Sequence, residues 1–153
     1  MTGPPSSPAV IRARVRADSV DDALRHIADL LALEAGGQLS AHDVLKGLIQ
    51  REAVASTNIG SGVAMPHFID NKVSAASVVA ITLESPIKWG SIIAPVDIVF
   101  GLSGTPAEPW RHVRSLAHLA RLALVPGVAD RIRGAVDDEA LRRVFAEEDG
   151  RHG

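Results

Sequence analysis

The stretch Ala75–Leu83 is apolar at nearly every position, and this constrains the fold more than any other feature of the chain. A strand turns alternate side chains to opposite faces of its sheet, so a strand apolar in both sets must be covered on both sides. That requirement points to a sheet with helices packed over it. Pro95–Leu102 reads as a second strand, and Ser85–Pro95 between them as a connection with at most a short strand. Upstream, Val10–Ala17 alternates, with Ile11, Ala13, Val15 and Ala17 on one side and Arg12, Arg14 and Arg16 on the other. This pattern predicts a half-buried strand with its arginine side in water. Val63–Met65 adds a short extended piece, because Pro66 biases Met65 away from helical geometry.

Helical signals interleave with these strands. Ser19 opens a helix with Asp21 and Asp22 in its first turn, Val20, Leu24, Ile27 and Leu31 on one stripe, and Gly36-Gly37 at its end. Ser40 opens a second, with Val44, Leu45, Leu48 and Ile49 on its apolar side and an end near Arg51-Glu52. A third follows Pro106 and Pro109 and runs to about Val125, before Pro126-Gly127. Two short helices, near Val128–Gly134 and Asp137–Glu147, finish the chain. The predicted fold is a single α/β domain, a small mixed β-sheet flanked by helices, over residues 10–148. Residues 1–9, which hold three prolines, are expected as a flexible leader and 149–153 as a flexible tail.

Composition removes several function classes. At 153 residues the chain is the size of one domain, and a folded monomer of this mass buries roughly two-thirds of its unfolded surface. The absence of cysteine excludes disulfides, thiolate metal sites and a cysteine nucleophile. Sixteen Lys and Arg against 18 Asp and Glu give a net charge of −2, and only three Phe and two Trp are available for base stacking. Both argue against nucleic acid as a partner. Met1–Val10 has no secretory pattern, and the apolar runs are too short to span a bilayer. A cytoplasmic protein without stable membrane insertion is expected. Gly60–Met65 lacks the third glycine of a dinucleotide fingerprint, and there is no HExxH motif, so neither cofactor nor metal is expected.

Six histidines remain as candidates for chemistry. His26, His42 and His152 read as solvated surface residues. Along the third helix, at about 100° per residue, His112 falls in the apolar arc with Leu116 and Leu119, whereas His118 falls beside Arg114 and Arg121 on the face that should meet water. A histidine on an apolar stripe needs a partner, and a backbone carbonyl would serve. His67 stands at a different address, directly after a polar glycine-containing loop and a proline, at the end of an extended piece. A loop histidine of no consequence is one reading. The other is a nucleophile: a neutral imidazole can carry a group covalently when its second nitrogen is hydrogen-bonded to fix the tautomer.

The residues Arg51-Glu52, the block Ser56-Thr57-Asn58-Ile59-Gly60-Ser61-Gly62-Val63-Ala64-Met65-Pro66-His67, the strand Pro95-Val96-Asp97-Ile98-Val99-Phe100 and His112, taken in order, resemble the fructose/mannitol-type enzyme IIA domain of the bacterial phosphoenolpyruvate-dependent phosphotransferase system. That group includes the nitrogen-regulatory enzyme IIA proteins, and the resemblance covers about residues 10–148. It implies that His67 accepts a phosphoryl group from the phosphohistidine of HPr or its nitrogen-branch counterpart. The group then passes to an enzyme IIB domain, or its presence signals to a regulatory target protein. It further implies that His112 supports the phosphoryl group and that Arg51 neutralises its charge. Ser56, Thr57 and the amides around Gly60 and Gly62 are expected as further phosphoryl-binding donors. Nitrogen-regulatory members commonly follow the histidine with glycine and lysine, whereas Phe68 and Ile69 stand here. A ring beside His67 is expected to narrow access or to contact a partner. An alternative function follows from Phe68, Ile69, Trp89 and Trp110: a regulatory protein-binding module on the same fold, with the transfer lost and these residues exposed as a docking patch.

Overall fold

The computed structural model of the chain describes residues 8–90 and 92–152. Residues 1–7 of the expected leader and residue 153 of the expected tail lie outside the described residues; Ala9 N–H already donates to the Val78 carbonyl at 2.7 Å. The chain runs β1 (Val10–Val15), α1 (Val20–Glu34), α2 (Ala41–Val54), β2 (Asn58–Gly60), β3 (Val63–Ala64), β4 (His67–Ile69), β5 (Ser77–Trp89), β6 (Ile92–Gly104), α3 (Pro109–Leu124), α4 (Val128–Gly134) and α5 (Asp138–His152). The six strands form one mixed sheet in the order β1-β5-β6-β3-β2, with β4 also paired to β6. β1 lies parallel to β5, β5 antiparallel to β6, and both β3 and β4 run parallel to β6.

The central strands divide their side chains between two cores. Val79, Ile81 and Leu83 pack on one face against Leu24, Ile27 and Leu31 of α1 and Val44 and Leu48 of α2. Val78 and Ala80, with Ile98, Phe100 and Leu102, pack on the other against Leu119 and Leu122 of α3, Ile132 of α4 and Leu141 and Phe145 of α5. This is the double covering that the apolar run in β5 demands. α1 and α2 begin as their capping residues direct: Ser19 Oγ accepts from Asp22 N–H at 3.1 Å and Ser40 Oγ from Asp43 N–H at 3.0 Å.

Four expectations are corrected. β5 and β6 are each 13 residues long and meet in a hairpin at Gly90, so the expected connection is strand almost throughout. Pro86 falls in the irregular pairing between Thr82 and Ile87, and a residue without an N–H is tolerated at such irregularities. In β1 the alternation fails at Arg14, which has φ 54° within an interruption of the register between Arg12 and Val15. Arg12 is half-buried, and both faces of the strand are covered, Val10 and Val15 by the first core and Ile11 and Ala13 by the second. Residues 149–152, expected as a tail, continue α5. Among the described residues no helix is long and apolar enough to cross a membrane.

Candidate functional site

β3 and β4 follow one path along β6, interrupted at Met65-Pro66. Val63 pairs with Ile98, Ala64 with Val99, and His67 with Leu102. His67 is thus fixed at the start of a strand, half-buried, with its ring reachable from the last turn of the long α2. Its Nδ1 lies 3.2 Å from the Met65 carbonyl. A carbonyl only accepts, so Nδ1 carries the proton. Arg51 Nε–H donates to His67 Nε2 at 3.1 Å, which leaves Nε2 as the nitrogen with the free electron pair.

The surroundings hold this ring neutral. Burial, first, lowers the His67 pKa below the ordinary histidine value; the nearby charges of Arg51 and His112 push the same way, while the Met65 carbonyl and Glu52 oppose them. The Arg51 guanidinium is itself tethered, since Nη1 donates to the Ala55 carbonyl at 2.7 Å. His112 approaches from the first turn of α3, packed on Gly104, where a Cβ would lie 2.9 Å from its Nδ1. Gly104 is the β6 partner of Ile69, two residues beyond His67. The plain reading of His112 as a core histidine satisfied by a carbonyl is corrected: Nδ1 is buried with no hydrogen-bond partner among the described residues.

The structure therefore brings Arg51, His67 and His112 together. The other expected donors are engaged with different partners or lie along the sheet. Thr57 is buried, and its hydroxyl and N–H both donate to the Glu52 carboxylate, at 2.6 and 2.8 Å. Ser56 Oγ accepts from Asn58 N–H at 3.2 Å and packs against Gly90. Gly60 and Gly62 flank the turn between β2 and β3, at φ 87° and 82°. Val63 beside them and His67 pair with β6 residues four apart, a separation of roughly 13 Å at 3.3 Å per residue. The turn is held instead by Arg133, whose Nε–H donates to Asp97 at 2.7 Å and whose Nη2 donates to the Ser61 carbonyl at 2.6 Å.

Glu52 is the site residue that pattern reading passed over. Besides Thr57, its carboxylate accepts from Trp89 Nε1 at 2.9 Å, so it ties the end of α2 to the β5–β6 hairpin. Its pairing with Arg51 in sequence was the available signal, but only the fold shows the three donors converging. Two further placements differ from expectation. His118 is covered by α5 and pairs with Asp149 at 3.2 Å rather than facing water. His26 is half-buried, with Nε2 3.1 Å from the Arg16 carbonyl. The docking patch of the alternative reading is also dispersed: Phe68 is 7% exposed and Trp89 fully buried, Ile69 is half-buried, and Trp110 remains exposed. The Phe68 ring packs on α2 at Gly47. Among the described residues no group of three His, Asp or Glu side chains could hold a metal ion.

Residues 7–148 match the family model described as phosphoenolpyruvate-dependent sugar phosphotransferase system, EIIA 2. The chain belongs to this family. A nitrogen regulatory protein of Klebsiella oxytoca is 32% identical over 138 residues, covering 89% of this chain and 84% of the relative. The nitrogen regulatory protein IIA-Ntr of Neisseria meningitidis superposes with a TM-score of 0.79 at 24% identity, over 89% of this chain and 92% of that one. The Escherichia coli mannitol enzyme IIA, solved in complex with phosphorylated enzyme IIB, superposes with a TM-score of 0.76 at 18% identity, over 90% and 94%. The EIIA family is a phosphoryl-transfer component of its system, and the mixed α/β fold is that of the IIA proteins.

Proposed function

We propose that this EIIA chain is a phosphohistidine carrier of the nitrogen-regulatory type, with Nε2 of His67 as the nitrogen that takes the phosphoryl group. The observation that carries the reading is the fixed tautomer: Nδ1–H is committed to the Met65 carbonyl, and the unprotonated Nε2 accepts from Arg51. The lowered pKa of the ring supports it, because the neutral form is the nucleophile.

In the transfer, an N–P bond forms at Nε2 as the N–P bond to the donor histidine breaks, and the Nδ1 proton stays where it is. The protein's work is to hold the two nitrogens in line and to stabilise charge on the phosphoryl oxygens. Arg51 Nε–H occupies the electron pair of Nε2 in the resting protein. It must therefore move from the nitrogen to the incoming oxygens as the bond forms, a shift that needs no change of partner at Nη1. His112 stands in the first turn of a 16-residue helix, whose N-terminal end bears partial positive charge and suits the same anion.

The donor in this reading is a phosphorylated HPr-like carrier in the cytoplasm. The acceptor is an enzyme IIB domain, as in the mannitol complex, or a regulatory target that senses the phosphorylation state. The nitrogen-regulatory assignment draws on the 32% identical Klebsiella relative. The test is intact mass spectrometry after incubation with phosphoenolpyruvate, enzyme I and HPr or its nitrogen-branch counterpart. Wild type should gain one acid-labile phosphoryl group and His67→Ala none. Uptake by His67→Ala at the wild-type rate would refute the assignment; no uptake by folded wild type would favour the binding module.

A further inference from the structure

Phe68 follows His67 in β4, and its ring is seated on α2 at Gly47. A Cβ at Gly47 would lie 2.5 Å from Phe68 Cδ1 and nearer still to Cε1, so the ring fills the space that any side chain at position 47 would need. Gly47 and Arg51 are four residues apart, on one face of the helix and one turn from each other. The two backbone segments that carry the reacting pair are thus clamped by the pair next to it. Arg51 is fixed within its own helix end by the Ala55 carbonyl. The Arg51–His67 contact depends on the distance between α2 and β4, and the Phe68 ring on Gly47 is a direct contact across that gap.

We propose that Phe68 is a positioning residue for phosphoryl transfer: its ring, seated on Gly47, sets the height of α2 over β4 and so holds Arg51 Nε at Nε2 of His67. The inference rests on the phosphocarrier reading of His67 and extends it to two residues that touch no reacting atom. A side chain at 68 and the lack of one at 47 form a single complementary contact.

The test compares Phe68→Ala and Phe68→Leu with Leu141→Ala, a substitution in the core on the opposite face of the sheet. Phosphoryl uptake from phosphorylated HPr is measured per folded molecule, and the His67 ring is titrated by NMR. Leu141→Ala should leave both readouts unchanged. Phe68→Ala should slow uptake about 10- to 100-fold, the scale of a misplacement near 1 Å, and move the His67 titration up towards the ordinary histidine value as burial is lost. Phe68→Leu, which keeps most of the bulk, should recover most of the rate. Wild-type rate and titration in Phe68→Ala, or slowing no greater than in Leu141→Ala, would overturn the proposal. If Phe68→Ala does not fold, Gly47→Ala probes the same contact from the helix. It should slow uptake and be partly rescued by adding Phe68→Leu; a folded Gly47→Ala with wild-type rate is equally fatal. Failure of the carrier reading would look different: wild type would accept no phosphoryl group, while the His67 titration would still report on the clamp.

Discussion

At the scale of single residues, the site is a set of donors matched to acceptors around one imidazole. His67 has a pKa lowered chiefly by burial, so between the ordinary histidine value of 6.5 and its own lower value the unfolded chain binds a proton that the native ring does not. Stability therefore falls as pH drops through this window and is unaffected by the group above it. Melting temperatures of wild type and His67→Ala between pH 7.5 and 5.5 should show the steeper acid loss in wild type. Glu52 is the other residue whose removal should be costly. In Glu52→Ala, Thr57 N–H and Trp89 Nε1 lose their acceptor in or beside the core. A loss of about 2–3 kcal/mol is expected in urea unfolding, together with slower phosphoryl uptake. Arg51, His67 and His112 were legible as a candidate set from the family motif, and helical phase placed His112 on the buried arc. The role of Glu52 was not legible, since its donors Thr57 and Trp89 are 5 and 37 residues away.

At the scale of elements, the turn between β2 and β3 shows how a motif can mislead. Gly60 and Gly62 suggested amides cradling a phosphate, yet their left-handed backbone serves a tight turn pinned to α4. A Cβ at Gly62 would meet the Arg133 guanidinium and lie 3.0 Å from Asp97 Oδ1. Gly62→Ala should therefore cost about 1–3 kcal/mol in thermal or urea unfolding while leaving His67 competent, because the turn lies far along β6 from it. A Gly62→Ala protein as stable as wild type would show that the turn relaxes freely. At the N-terminus of α1, Ser19→Ala removes the acceptor for Asp22 N–H; a loss of about 1 kcal/mol is expected from the same measurement. Helix ends were read from the sequence to within a few residues because caps and glycines act locally. The β5–β6 hairpin was not, because Pro86 and Pro95 are turn signals that the register irregularities of the sheet absorb.

At the scale of the whole molecule, one sheet separates two cores, and the proposed phosphoryl site lies between the end of α2 and the beginning of α3. Substitution deep in the far core should thus alter stability without altering chemistry: Leu141→Ala is expected to cost about 2–5 kcal/mol, read by urea unfolding. The α/β class and the double covering of the central strand were readable from the sequence alone, and so was a candidate histidine with two proposed companions. The first two follow from periodicity and capping, which act over one element, and the third from the resemblance of Arg51-Glu52, the block 56–67 and His112 to the enzyme IIA family. That Thr57 binds Glu52, that Gly60 and Gly62 lie away from His67, that Phe68 is buried on Gly47 and that His118 pairs with Asp149 emerged from the packing of the fold. Those facts depend on which side chains from distant elements meet, and burial satisfies polar groups with whatever partner the packing brings.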